Sequence, residues 1–172
     1  PPRVTATTPA DGALRLSVAN PRITVTFSKD LEPASVTAAN LFLDHGATGQ
    51  VTWDPATRTA TLVPAAPLAY ATTYTVTATT GLRDPAGNSL TGIYRFSFST
   101  DPDGDVNLDG KVDLVDAMLC LQMAVGLITP SAEQVKHGDL APFRNGKPLS
   151  DGKLDAADAL IILSKTVGLV RW

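Results

Sequence analysis

Cysteine is nearly missing from this sequence: Cys120 stands alone among 172 residues. A single thiol excludes an intrachain disulfide and a cysteine-built zinc cluster. Histidine is almost as scarce. His45 sits beside Gly46 in a predicted turn, His137 precedes Gly138 at a predicted helix end, and neither has a second His or Cys nearby. Metal or catalytic roles are not assigned to them. Basic charge is not in excess, with 14 Lys and Arg against 17 Asp and Glu and a net charge of −3. That balance argues against a nucleic-acid partner held by phosphate neutralisation. Long apolar runs are also lacking. The longest in the helical part is Ala159–Leu163, far short of a bilayer span, so no membrane insertion is expected. No Ser/His/Asp or Cys/His set and no phosphate-cradling glycine loop is present, and the chain is read as no enzyme. It opens Pro1-Pro2 without Met or an apolar leader, which reads as an excised piece whose targeting signal lies outside it.

What is present divides near residue 100. Residues 1–100 hold 19 Thr and a net charge of +1; residues 101–172 hold 2 Thr and a net charge of −4. β-Branched sequence suits a pleated, half-buried surface. Ile23, Val25 and Phe27 alternate with Thr24, Thr26 and Ser28, and Tyr74, Val76 and Ala78 alternate with Thr residues in the same way. Ile93–Thr100 places Tyr94, Phe96 and Phe98 on one side, and Val51–Trp53 with Thr59–Val63 reads as a hairpin around 54–57. Turn signals recur at 9–12, Asn20-Pro21, His45-Gly46, 64–67 and 84–88. Asp84 and Asn88 read as a turn with local side-chain bonds to backbone, and Trp53 reads as core. The spacing predicts two domains: an all-β antiparallel sandwich over 1–100 and a small all-α module over 101–172.

Within the first domain, Thr8-Pro9-Ala10-Asp11-Gly12-Ala13, Ile23 to Lys29, Thr73-Tyr74-Thr75-Val76, Gly81 to Asn88 and Phe96 to Thr100 fall in a fixed order. This series resembles a bacterial Ig-like domain of surface-layer and secreted multidomain proteins. The resemblance implies a spacer or adhesive module and an extracellular or cell-surface location.

The second domain repeats itself. A shift of 42 residues carries Asp109-Gly110-Lys111-Val112-Asp113 onto Asp151-Gly152-Lys153-Leu154-Asp155, Asp116-Ala117 onto Asp158-Ala159, and Val125-Gly126-Leu127 onto Val167-Gly168-Leu169. In the first copy Asp105, Asn107, Asp109, Lys111, Asp113 and Asp116 occupy positions 1, 3, 5, 7, 9 and 12 of a calcium-binding loop, with Gly110 at position 6. Calcium takes six to eight hard oxygen ligands, and alternate residues of a tightly turning loop point inward. Lys111 would offer only its carbonyl. In the second copy Asp139 and Ala141 match Asp105 and Asn107 at an offset of 34, so about eight extra residues, around Pro142 to Leu149, intervene before Asp151, Lys153, Asp155 and Asp158. Ala141 brings no side-chain ligand, although its carbonyl is available. Two calcium ions are expected, the second site being the weaker.

Each loop leads into a helix. Leu114, Ala117, Met118, Leu121 and Val125 give the first an apolar face, as do Ala157, Leu160, Ile161 and Ile162 the second. Gly126 and Gly168 read as helix ends, Cys120 as a small core residue, and Thr129-Pro130 as the cap and first residue of a short middle helix. Loop and exit helix, twice, without an entering helix, resembles a type I dockerin over residues 103–170. The resemblance implies two calcium sites, roughly antiparallel helices with pseudo-twofold symmetry, and docking to a cohesin domain. The recognition positions it implies are Leu114, Val115, Leu121 and Gln122, with Ala156, Ala157, Leu163 and Ser164 in the second copy. These are less polar than a surface awaiting a soluble partner. A second reading is therefore a calcium-stabilised cap packed on the adjacent Ig-like domain or a neighbouring chain, and a weaker one an adhesin or carbohydrate-binding module. Trp172 is expected to pack on the Pro102 region or on the sandwich, because an apolar ring at a frayed terminus would forgo its burial.

Overall fold

The computed structural model describes residues 1–19 and 21–172; the turn expected at Asn20 falls on the residue outside that set. The chain divides into two compact units, Pro1–Thr100 and Asp101–Trp172.

The first unit contains β1 (Val4–Thr8), β2 (Ala13–Leu16), β3 (Ile23–Phe27), β4 (Leu41–Leu43), β5 (Gly49–Asp54), β6 (Thr59–Pro64), β7 (Thr73–Ala78) and β8 (Tyr94–Thr100). They form two four-stranded sheets, ordered β1-β3-β6-β5 and β2-β8-β7-β4. Alternation decides which side chains face inward. Ile23, Val25 and Phe27 of β3, Ala60 and Leu62 of β6, Tyr74, Val76 and Ala78 of β7, and Phe96 and Phe98 of β8 are all buried in one core. Tyr94, expected on the same side as Phe96, is exposed at the strand's outer end. Trp53 is half-buried on the core, its ring centroid 6.0 Å from that of Phe27. The β5–β6 hairpin is set by Asp54, whose carboxylate accepts the Ala56 N–H and the Thr57 hydroxyl, an Asx-type turn. Asp84 does the same for 84–88, accepting N–H bonds from Ala86 and Asn88 and both oxygens being bonded by the Asn88 amide.

One expectation needs correction. The sandwich is not wholly antiparallel, because β2 runs parallel to β8. The two strands lie almost a whole domain apart in sequence, so no tight hairpin dictates their direction. β1 and β2 belong to different sheets, and β2 meets the last strand after that switch.

The second unit contains α1 (Leu114–Ala124), α2 (Ala132–Gly138), β9 (Phe143–Arg144), β10 (Lys147–Pro148) and α3 (Ala156–Thr166). It is helical but not all-α, because β9 and β10 make a small antiparallel hairpin. Asp113 and Asp155 cap α1 and α3, each in a reciprocal box with Asp116 or Asp158. Gly126 and Gly168, at φ 78° and 75°, close the same helices. The cap of α2 is Ser131 boxed with Gln134, not Thr129. The Ser131-Ala132-Glu133-Gln134 series satisfies two orphan N–H groups at once, which Thr129-Pro130 would not.

α1 packs on α3 around Ala117, Cys120, Met123, Ala159 and Ile162, with Val106 and Leu140 from the two loops. The repeat interlocks crosswise. A Cβ on Gly138, which precedes the second loop, would lie 2.8 Å from Val106 of the first loop. Gly104, which precedes the first, approaches Leu140 of the second. Each copy thus offers a glycine to the other's apolar knob.

Candidate metal centre

The first acidic loop is wound around two carboxylates. Asp105 accepts the N–H groups of Asp109 at 3.1 Å and Gly110 at 2.8 Å, one on each oxygen. Asp116, at the start of α1, accepts those of Asn107 and Asp113, both at 2.9 Å. Asp109 accepts from Lys111, Asp113 from Val115, and Asn107 both accepts from and donates to Asp109. Asp105, Asn107, Asp109, Lys111, Asp113 and Asp116 are therefore brought into one turn, with Asp105 and Asp116 buried and the Lys111 side chain exposed.

The second loop reproduces this frame. Asp139 accepts from Asp151 at 2.9 Å and Gly152 at 2.7 Å; Asp158 accepts from Leu140, Ala141 and Asp155 at 2.6–2.7 Å. Asp151 accepts from Lys153, and Asp155 from Ala157. Between Ala141 and Ser150 the extra residues leave the loop as the β9–β10 hairpin, closed at its base by the Leu149 N–H on the Pro142 carbonyl at 2.8 Å. Ala141 and Ser150 thus succeed one another in space as Asn107 and Leu108 do in sequence. What is missing is the pair of side-chain bonds that Asn107 makes.

Asp105, Asp116, Asp139 and Asp158 are at most 6% exposed. Among the described residues, no Lys, Arg or His forms an ion pair with Asp105, Asp116 or Asp158. Burial pushes the Asp158 carboxyl above the usual carboxylate range, against the three N–H groups that favour its charge. Buried charges are paired or coordinate metals, so this chemistry fits a cation. Among the described residues no group of His, Cys, Asp and Glu could hold a metal by itself. An ion would also draw on the Asn107 amide and on the carbonyls of Lys111, Ala141 and Lys153. That all-oxygen donor set is the kind hard divalent cations take.

Around the unit's entry, His137 bonds Asp103 at 2.7 Å. Burial opposes the Asp103 charge, yet the His137 ring holds its carboxyl below the usual range; the same bond raises the His137 pKa. The Trp172 indole N–H donates to the Pro102 carbonyl at 2.9 Å, as the terminal-packing expectation required. Its ring lies under the Lys165 ammonium, 3.8 Å from the centroid, and against Phe143 of the hairpin at 5.4 Å. Cys120 is fully buried, and burial with the nearby Asp158 and Asp155 charges pushes its thiol up to about 12. A core thiol in that state is inert.

The helix faces differ from expectation. The core side of α1 is Ala117, Cys120 and Met123, while Leu114, Val115, Met118, Leu121 and Val125 are exposed. α3 buries Ala159 and Ile162 and exposes Leu160, Leu163 and Val167. Both helices are apolar on nearly every side, so periodicity could not say which stripe is core. Of the recognition positions, Leu114, Val115, Leu121, Gln122, Ala156, Ala157 and Leu163 are exposed, and Ser164 is half-buried with its hydroxyl on the Leu160 carbonyl. Sequence reasoning missed Met118, Val125, Leu160 and Val167 as surface residues.

The bacterial Ig-like domain family matches residues 1–100. The chain belongs to that family. Among curated proteins no sequence matches it. Of solved structures, the N-terminal part of the bacterial S-layer protein SbsC is 23% identical, with a TM-score of 0.43, over 59% of this chain and 24% of that one. CopC from Methylosinus trichosporium OB3b is 17% identical, with a TM-score of 0.45, over 58% and 95%. An L,D-transpeptidase from Mycobacterium smegmatis is 22% identical, with a TM-score of 0.42, over 58% and 40%. The chain therefore spans about a quarter of the S-layer structure's length. The family match ends where the helical unit begins. No helix among the described residues is long and apolar enough to cross a membrane.

Proposed function

We propose that this is a non-catalytic assembly piece of a secreted or surface protein. Its Ig-like unit is the spacer, and its helical unit is a dockerin-like module held together by two calcium ions that docks a protein partner. The observation that carries the reading is the repeated loop frame, in which the carboxylates of Asp105, Asp116 and Asp158 are buried and held by backbone N–H groups, with no Lys, Arg or His ion-paired to them among the described residues. Asp105, Asn107, Asp109, the Lys111 carbonyl, Asp113 and Asp116 would hold the first ion. Asp139, the Ala141 and Lys153 carbonyls, Asp151, Asp155 and Asp158 would hold the second. Calcium supplies the positive charge that offsets the unit's net −4. The residues themselves fix the loop ends and cap α1 and α3, so that loop order and helix order are coupled.

The dockerin resemblance implies a cohesin-type receptor on the exposed faces of α1 and α3. Capture of the calcium-loaded chain by a cohesin panel, lost with EGTA, is the expected result. Titration without any heat of calcium binding would sink the metal reading. A second reading, a structural cap, is favoured by the absence of exposed charge on the outer stripes of both helices. It predicts no capture but a calcium-dependent melting temperature.

A further inference from the structure

The outer stripes of α1 and α3 are the largest unexplained feature of the chain. Ten apolar side chains, Leu114 to Leu127 on and after α1 and Leu160 to Leu169 on and after α3, are 38–79% exposed. Four positions of the stripes correspond across the repeat, Met118 with Leu160, Leu121 with Leu163, Val125 with Val167 and Leu127 with Leu169, whereas Leu114 and Val115 fall on Ala156 and Ala157. The charged residues within the helices are Asp116 and Asp158, both buried, and Lys165, which is turned onto Trp172. Monomers seldom expose an apolar patch beyond about 300–600 Å². Side chains this open supply an area on the order of the ~800 Å² that each partner gives to a stable interface.

Among the described residues nothing else matches this surface, and the described residues of the Ig-like unit expose Leu14, Phe42, Ile93 and Tyr94 as their large apolar side chains. An uncharged face carries no like-charge penalty against itself, and a twofold contact needs one patch that serves on both sides. We infer that, with no receptor present, the helical unit pairs with a second copy of this chain through these stripes. The inference rests on the docking reading and names the resting partner of the same face. Receptor binding is then an exchange in which one copy is displaced.

The test is sedimentation equilibrium of the calcium-loaded chain from about 1 to 100 μM, beside the double variant Met118→Glu/Leu160→Glu. Both positions are more than half exposed and face away from the core, so the variant keeps its helical circular dichroism. The wild type should approach twice 18.0 kDa, with dimerisation at least about tenfold weaker in the variant. A wild type that stays at 18.0 kDa throughout overturns the inference, as does a variant that dimerises equally well. A cohesin-panel capture run on both proteins separates the two ideas. Monomeric wild type captured through a face the variant lacks sinks self-pairing alone; no capture and no dimer sinks both.

Discussion

The two acidic loops solve one problem with different amounts of chain. The first spans Asp105 to Asp116 as twelve consecutive positions; the second needs Asp139 to Asp158, twenty positions, for the same carboxylate-to-backbone bonds. The extra chain leaves between the third and fourth positions and is pinched shut at Pro142 and Leu149. The comparison teaches that such a loop is defined by its closing bonds rather than by an unbroken spacing. Loop closure entropy grows slowly, by about 0.6 kcal/mol per doubling of length, so the detour is thermodynamically mild. Having Ala141 where the first loop has Asn107 is the more consequential difference, because a side-chain amide oxygen and two hydrogen bonds are lost with it.

Removing metal should erase the comparison altogether. With EGTA, helical circular dichroism should collapse for residues 101–172 while the strand signal of the Ig-like unit persists. Unchanged helicity after exhaustive chelation would mean the carboxylates are balanced without an ion. Next in size are the closing aspartates. Asp158→Ala strands three N–H groups, two of them buried, and Asp116→Ala two part-buried ones, at about 1–3 kcal/mol for each group left both buried and unsatisfied. Thermal melts of the helical unit should rank Asp158→Ala as the less stable, and the reverse order would contradict the hydrogen-bond count.

Calorimetry should resolve two unequal calcium steps, with Asp109→Ala abolishing the tighter. Ala141→Asn should close the gap by about tenfold, a difference of ~1.4 kcal/mol; an unaltered gap would point instead to the hairpin. The smallest effect is expected from Phe143→Ala, which removes the ring against Trp172. Such pairs contribute about 0.5–1.5 kcal/mol. The melting midpoint of the helical unit should drop while the tighter calcium step stays unchanged.

Much of this was legible in the sequence where one local rule acts alone. Ile23, Val25 and Phe27 alternate because one side of β3 is buried, and the repeat around Asp109 and Asp151 announces a duplicated turn. Reading failed where two rules overlapped. α1 is apolar both toward Cys120 and toward Leu121, and no periodicity distinguishes a core stripe from an uncovered one. Thr129-Pro130 is a strong start signal for the middle helix, yet the Ser131–Gln134 box is stronger and sets the cap. The hairpin inside the second loop carried its own signal in Asn145-Gly146, whose φ values of 51° and 77° suit a tight two-residue turn. The spacing of the repeat announces only that about eight extra residues interrupt the second loop, not the conformation they take. The parallel β2–β8 pair has no local signature, since it joins segments more than eighty residues apart.

The bond from Trp172 to the carbonyl of Pro102 makes the helical unit a ring in space. Its first and last residues leave from one spot, so the unit has the geometry of a cassette. It could be set into a surface loop of an unrelated host protein without prying that loop apart. It could also be circularly permuted, with new ends cut at the exposed Asn145-Gly146 turn and the old ones joined by a short peptide. A permuted chain that still folds on adding calcium would show that the order of the two loops along the polypeptide is immaterial to the ring they close.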